Sequence, residues 1–332
     1  MESSSTEDRS AIDSGELLCA EGHRFGVEAS VPRLVVATNG GPRDQSGTFE
    51  SFSAKWTGVS AEDLEQRFRQ QYDWYVERYG FGDEGGLTSF LAGREAILEA
   101  GTGLGGDAAR FARLSDAQVV GIDLSEGIVA AQRHFGGPPN LHYAQADIMR
   151  LPFPAASFDF VSSDQVIHHT PDAPRAFGEL AKLLRPGGHL AVYVYCRKAI
   201  LRELADTHIR ETTTQMSVEE CMEFSEQITE LGRELSGTGA RVKLERGVPL
   251  LGIEPGEHDV QRLIYWGFLK CFWNEDFSER LNVLVNFDWY HPPYATRHTE
   301  EEVRGWCAVA GLEVEHLDLS ESGISVLARR PG

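Results

Sequence analysis

The chain has 332 residues, 31 of them Lys or Arg and 51 Asp or Glu, so a formal charge of −20 sits on a sequence that is 41% hydrophobic. That composition excludes disordered and fibrous classes, suffices for a substantial core, and gives a surface that repels phosphate backbones and anionic lipid. Five scattered cysteines (Cys19, Cys196, Cys221, Cys271, Cys307) without a C-x-x-C pair argue against a disulfide framework, and the lack of a basic-then-apolar start or a bilayer-length apolar run predicts a cytoplasmic protein whose partners include neither membrane nor nucleic acid.

Residues 1 to about 15 are polar and read as a frayed terminus. The stretch from Leu17 to Val36 reads as two short strands around a turn, and Thr38 to Ser46, rich in Gly and polar residues, as a linker. A helix is expected from Ser60, where Asp63 three residues on resembles a capping box and Leu64, Phe68, Tyr72 and Tyr75 share a face. Beyond it, the apolar runs Ala96–Ala100, Gln118–Asp123, Leu141–Ala144, Phe158–Ser163 and His189–Tyr195 alternate with helical patterns, the signature of a parallel sheet covered by helices. The clearest of these helices should start at Thr170-Pro171 and stop at Arg185-Pro186-Gly187-Gly188.

After Tyr195 the alternation breaks for about 100 residues, too long for a strand-to-helix connection and too patterned for disorder, which predicts an inserted helical cap. Within it, Ser217 and Glu220 form a second capping box ahead of the stripe Val218, Cys221, Met222, Ile228, Leu231 and Leu235, whose opposite, acidic face reads as solvated surface. A second helix is expected over Val260–Trp273, with Trp266, Phe272 and Trp273 forming the cap's own core. Thr299 with Glu302 makes a third capping box, Gly311 ends that helix, and two strands, Leu312–Leu319 and Ile324–Arg329, finish the chain. The expected domains are a 1–46 extension, a 47–196 nucleotide-binding core, a 197–298 cap and a 299–332 completion of the core sheet.

The first of these strands, ending Ile97-Leu98-Glu99-Ala100, runs into Gly101-Thr102-Gly103-Leu104-Gly105-Gly106 and then a helix. Glycines at 101, 103 and 106 satisfy G-x-G-x-x-G, which allows a tight turn and close backbone approach of a ligand. The next strand ends in Asp123, where an acid accepts hydrogen bonds from ribose hydroxyls, so a nucleoside-containing cofactor follows. Glu99, two residues before the loop, faces a pyrophosphate at poor Coulombic advantage but suits a cationic amino group, favouring S-adenosylmethionine (SAM) over a dinucleotide. Asp147, after the third strand, adds an acid on the same sheet edge, the edge where open α/β sheets bind ligands.

At these residues the chain resembles the class I SAM-dependent methyltransferases, in particular the type-11 branch that includes ubiquinone and menaquinone biosynthesis enzymes. The motifs run in order: Glu99 to Gly105, then Gly121-Ile122-Asp123-Leu124-Ser125, then Ala146-Asp147 with Leu151-Pro152-Phe153. Ser157-Phe158-Asp159, Val166-Ile167-His168-His169 and Leu184 to Gly188 follow. The resemblance implies an α/β, Rossmann-like, doubly wound sheet of seven mostly parallel strands, the last antiparallel. It implies that Glu99, Gly101, Thr102 and Gly103 hold the methionine part of SAM, that Asp123 with Leu124 holds the ribose side, that Asp147 and Ile148 hold the adenine, and that Gln165 lies near the sulfonium. The Leu17–Val36 stretch resembles a small zinc-ribbon-like module of some such enzymes, but Cys19 and His23 are its only plausible ligands and a structural zinc needs four, so it reads as a metal-free remnant.

The resulting expectation is a methyltransferase acting on a small-molecule acceptor. If the acceptor must lose a proton, His168 and His291 are the candidate bases, although a loop-orienting role is the favoured reading for the pair His168 and His169; His169, Tyr290 and Tyr294 are candidate acceptor contacts. The rival readings are an NAD-dependent oxidoreductase, against which Glu99 and the motif order argue, a noncatalytic SAM-binding protein, and RNA methylation, disfavoured by the charge.

Overall fold

A computed structural model of the chain describes residues 12–19, 21–35, 43–56 and 61–332. At the N-terminal end, β1 (Gly15–Leu18), β2 (Arg24–Glu28) and β3 (Val31–Pro32) form an antiparallel sheet, one strand more than expected. It is anchored to the core where Arg33 bridges Gln145 in parallel and its guanidinium meets the Glu126 carboxylate at 3.0 Å. Cys19 Sγ lies 3.3 Å from His23 Nδ1, and among the described residues no group of three or more His, Cys, Asp or Glu is gathered to hold a metal.

Helix α1 (Arg43–Trp56) takes in the end of the expected linker, whose residues 38–42 lie outside the described ones. The reason is readable: Phe49, Phe52 and Trp56 recur at helical spacing and give residues 43–56 an apolar face to bury. Helix α2 (Ala61–Arg78) follows; its expected cap, Ser60, lies outside the described residues. Tyr75 of α2 and Tyr79, just past its end, are buried, and α3 (Glu84–Leu91) is capped by the Asp83 carboxylate, which accepts from Gly86 N at 2.8 Å.

The core then alternates β4 (Ala96–Ala100), α4 (Gly106–Leu114), β5 (Gln118–Asp123), α5 (Gly127–Phe135), β6 (Leu141–Gln145), β7 (Phe158–Ser163), α6 (Ala173–Lys182) and β8 (Leu184–Tyr195). Helix α6 starts later than Thr170-Pro171, because Asp172 is the better cap: its carboxylate accepts from Arg175 N at 3.0 Å, with Pro174 in the first turn. Strand β8 begins at Leu184, not His189, so the Pro186-Gly187-Gly188 segment lies within it, accommodated by a register shift against β7.

The cap comprises α7 (Ile200–Thr213), α8 (Val218–Gly237), the hairpin β9 (Arg241–Leu244) and β10 (Gly256–Asp259), α9 (Val260–Gly267) and α10 (Glu279–Tyr290). The Ser217–Glu220 capping box is present, but α8 buries Cys221, Ser225, Thr229 and Gly232 while Leu231 is 41% exposed. Small residues win that face because the neighbouring chain comes close: a Cβ on Gly232 would stand 2.6 Å from the Cys271 carbonyl oxygen. Helix α9 stops at Gly267 instead of Trp273. The stretch after it is irregular because α10 supplies its hydrogen bonds: Asn286 Oδ1 accepts from Phe272 N at 2.9 Å and Asn282 Oδ1 from Asn274 N at 2.8 Å.

The third capping box opens α11 (Glu300–Ala310), and Gly311 closes it at φ 68° before β11 (Glu313–Leu319) and β12 (Gly323–Arg329). The seven-stranded sheet runs β11-β12-β8-β7-β4-β5-β6, with β12 antiparallel between β8 and β11 and the other five strands parallel. One face packs on α6 and α11 through residues such as Phe177, Leu180 and Val303, the other on α2 to α5 through Tyr75, Leu87, Phe111 and Ile128. Chain order reverses between β4 and β7, and ligands of open α/β sheets bind beyond the strand ends at such a point.

Candidate active site

The loop after β4 lies at this reversal. Gly101 N and Thr102 N both donate to the Ile122 carbonyl at 2.7 and 2.9 Å, turning the chain sharply. Gly101 sits at φ +87°, and a Cβ there would fall 2.3 Å from the Val166 side chain, so both backbone shape and close approach require glycine. Below the loop, Glu99 Oε2 accepts from Thr102 Oγ1 at 2.5 Å and from Ala108 N, in the first turn of α4, at 2.6 Å. Burial, and then the charge of Asp107, hold the Glu99 carboxyl well above its usual range, while burial pushes Asp107 up to about 6. Two crowded carboxyls of this kind favour a cation placed beside them.

At the end of β5, Asp123 Oδ2 accepts from Gly103 N at 2.8 Å, and Oδ1 accepts from Ser125 N and Oγ at 2.8 and 2.6 Å. Burial raises its pKa against these hydrogen bonds, and Oδ2, with one such donor, keeps capacity for a ligand hydroxyl. Asp147 caps the short 3-10 turn Ile148–Arg150 through Met149 N at 2.8 Å and also lines the pocket. Past β7, Asp164 accepts from the Arg78 guanidinium at 3.1 Å, Tyr79 Oη at 2.8 Å and Gln165 Nε2 at 2.9 Å, so α2 holds this loop. Gln165 itself adopts φ +61°, a conformation side chains rarely take and one that surrounding contacts must enforce.

Glu99, Gly101, Thr102, Gly103, Asp123, Leu124, Asp147, Ile148 and Gln165 all line one pocket. Sequence reasoning missed its other wall, formed by Phe49, Phe52, Lys55 and Trp56 of α1 and by Gln71 of α2. The helical spacing of the three α1 aromatics was the available signal. Helix α1 straps core to cap: Lys55 Nζ meets Asp288 Oδ1 of α10 at 2.7 Å, and Ser53 Oγ accepts from Glu126 N at 3.2 Å.

A second cavity, of about 590 Å³, opens between the sheet edge and the cap and shares Lys55, Gln71, Gln165 and Asp288 with the first. Its walls include Trp266, within α9, and Phe272, in the irregular stretch after it, both expected in the cap's own core. No residue of α8 lines either space.

The candidate base and acceptor residues are scattered. His169 lines the first pocket, with Nδ1 donating to the Tyr294 carbonyl at 2.7 Å, and burial lowers its pKa to about 4, so it is neutral with Nε2 as the lone-pair nitrogen. His168 is fully buried, its ring 3.7 Å from that of Tyr195, and burial holds its pKa well below the usual imidazole value. Its carbonyl accepts from Thr296 N at 2.9 Å, tying the β7 loop to the C-terminal segment. His291 hydrogen-bonds Ser51 Oγ through Nδ1 at 2.7 Å and stacks on Phe287, and the Tyr290 hydroxyl donates to the Lys270 carbonyl at 2.8 Å. His168, His291, Tyr290 and Tyr294 line neither cavity.

Comparison with known proteins matches residues 98–192 to a methyltransferase domain family, the type-11 methyltransferases. The chain is 38% identical over 116 residues to 27-O-demethylrifamycin SV methyltransferase of Amycolatopsis mediterranei, covering 32% of this chain and 43% of that protein. It is 34% identical over 163 residues to phosphoethanolamine N-methyltransferase 1 of Arabidopsis thaliana, covering 43% of this chain and 33% of that protein. The chain thus spans well under half the length of these relatives. Among solved structures, a SAM-dependent methyltransferase from Mesorhizobium loti aligns with TM-score 0.43 and 19% identity over 72% of this chain and 92% of that one.

Proposed function

Residues 98–192 form a SAM-dependent methyltransferase domain of the class I, type-11 kind, and from that premise we propose that the whole chain transfers the SAM methyl group to a small molecule held between the sheet edge and the 197–298 cap. The observation that carries this reading is the junction of two spaces at Gln165, Lys55, Gln71 and Asp288. One has the acids and glycines suited to SAM; the other is large enough for an organic acceptor.

In this reading Glu99 and Asp107 receive the amino group of SAM, the glycine loop takes its methionine backbone, Asp123 the ribose, and Asp147 with Ile148 the adenine. Bound SAM supplies an electrophilic methyl that passes to an acceptor lone pair as its bond to sulfur breaks. The chain's part is alignment and exclusion of water: α1 and the cap close over the sheet edge, and Gln165 is held rigidly where the spaces meet. A protonated acceptor must also give up its proton. His169 Nε2 is the lone-pair nitrogen nearest to hand in the cofactor pocket, and its depressed pKa suits an acceptor acidic enough to need only a weak base.

Parallel calorimetric titration of the full chain with SAM, S-adenosylhomocysteine and NADH tests the cofactor assignment. Saturable binding of the two adenosyl sulfur compounds without NADH is expected. Binding of NADH alone would overturn the reading.

A further inference from the structure

The chain carries a charge of −20, yet the wall of the second cavity presents six Lys or Arg side chains against three carboxylates, Glu77, Asp288 and Asp318. Three of the six are already matched: Arg78 by Asp164 at 3.1 Å, Lys55 by Asp288 at 2.7 Å and Arg202 by Asp206 at 2.6 Å. Among the described residues, Lys198, Arg262 and Lys270 have no carboxylate at ion-pair distance. Lys198 spends its protons on the Glu321 and Ser322 carbonyls at 2.6 and 2.7 Å and the Cys196 sulfur at 3.3 Å, adding positive field but no free donor. Lys270 differs. It is only 6% exposed, it lines the cavity, and its one hydrogen bond runs to Tyr265 Oη at 3.3 Å, so only one of the ammonium's three donors has a hydrogen-bond acceptor.

Much of the rest of the wall is aromatic, which by itself would also suit a cationic ligand. The protein's own cations, however, already stand over several of these rings. Lys270 Nζ stands 5.1 Å from the Trp289 ring centroid and 5.3 Å from that of Tyr265, and Lys198 Nζ 5.5 Å from that of Trp266. A ligand ammonium would meet like charge at those rings, whereas a flat anionic ligand can lay its ring against the aromatics and its charge beside Lys270.

Resting on the methyltransferase reading above, we infer that the acceptor is a planar aromatic anion, bound in the 590 Å³ cavity with its negative group on the buried ammonium of Lys270. Burial, followed by the neighbouring charge of Arg202, lowers the Lys270 pKa to about 7, so the arriving anion fixes a proton on an amine that is otherwise easily neutral. Lys270 is thereby the determinant of acceptor charge, and with Asp164 and Asp206 counted beside their partners the cations around the cavity still outnumber the carboxylates six to five.

The test titrates the full chain at pH 6.5, with and without S-adenosylhomocysteine, against 1-naphthoate, 1-naphthamide and 1-naphthylmethylammonium. Naphthoate is expected to bind at least roughly tenfold more tightly than the amide, as a charge-assisted hydrogen bond would give, and the ammonium compound most weakly. Lys270→Met and Lys270→Gln should each erase the preference for naphthoate without changing S-adenosylhomocysteine affinity or lowering the melting temperature, while Lys270→Arg should keep it. Ammonium binding equal to that of naphthoate, a preference that survives both neutral variants, or binding of no naphthyl probe would overturn the inference. Failure of S-adenosylhomocysteine to bind would overturn the underlying methyltransferase reading instead, and the titrations without it keep the two failures apart.

Discussion

The most informative perturbation is Glu99→Gln. The amide keeps the side chain's shape and, through Oε1, can still accept from Thr102 Oγ1 and Ala108 N, so the loop geometry has no reason to change. In the free protein the ionised carboxylate is disfavoured by burial and by Asp107. A carboxyl whose folded pKa is raised costs the protein stability as pH climbs from its unfolded value toward the folded one, so at pH 7 the neutral variant should melt no lower than the parent protein, and the difference should vanish in acid. Binding should move the other way. Replacing an ammonium-to-carboxylate hydrogen bond with one to a neutral amide removes about 1.5–3 kcal/mol, or roughly 10- to 150-fold in the Kd for SAM. Calorimetric titration with SAM and S-adenosylhomocysteine, beside a thermal melt, reads both quantities. The parent protein should also lose SAM affinity as pH falls toward 5, because Asp107, titrating at about 6, takes up a proton and loses its charge beside the ammonium. An intact Glu99→Gln protein with SAM affinity within twofold of the parent would refute the assignment of Glu99 to the amino group.

Three further outcomes follow from the geometry. Gly101→Ala forces a side chain onto φ +87° and within 2.3 Å of Val166, and should destabilise the protein by about 1–3 kcal/mol with loss of SAM binding; an unchanged melting curve would count against the described loop. Asn286→Ala strips hydrogen bonds from Phe272 N, the Phe272 carbonyl and Thr229 Oγ1, so it should lower stability by about 1–3 kcal/mol and weaken 1-naphthoate binding while leaving the Kd for SAM unchanged, which paired titrations would show. In the parent protein, 1-naphthoate affinity should be greatest below pH 7 and fall above it, since Lys270, facing Tyr265 of α9, Arg202 and Asp206 of α7 and Asp288 of α10, has its pKa lowered to about 7 and binds the anion only when protonated; a flat profile from pH 6 to 9 would exclude Lys270 as the anion's partner.

The sequence alone determined the features whose causes are local. Strands β4, β5 and β7 have the bounds read from apolar runs, the capping boxes at Ser217 and Thr299 formed as their side chains dictate, and the glycine loop turns where it was read, because short apolar runs, N-caps and tight turns are decided within a few residues. That all nine expected cofactor residues line one pocket follows from the same logic, since adjacent parallel strands carry their C-terminal ends to a single edge.

Tertiary structure decided what depends on residues far apart in the chain. The irregular stretch after α9 is held by Asn282 and Asn286, which supply from α10 hydrogen bonds that a longer helix would have made itself, and Phe272 in that stretch lies on a cavity wall where helical spacing suggested a core. The small-residue face of α8 follows from the close approach of Cys271, which no periodicity within α8 records. His168 and His291 suggested bases by residue type, but whether a histidine meets solvent or a ligand is settled by what packs around it, here Tyr195 in one case and Ser51 with Phe287 in the other. A cationic cavity inside an acidic chain is of the same kind: net charge sums over every residue, whereas an acceptor meets only the side chains that the fold turns toward it.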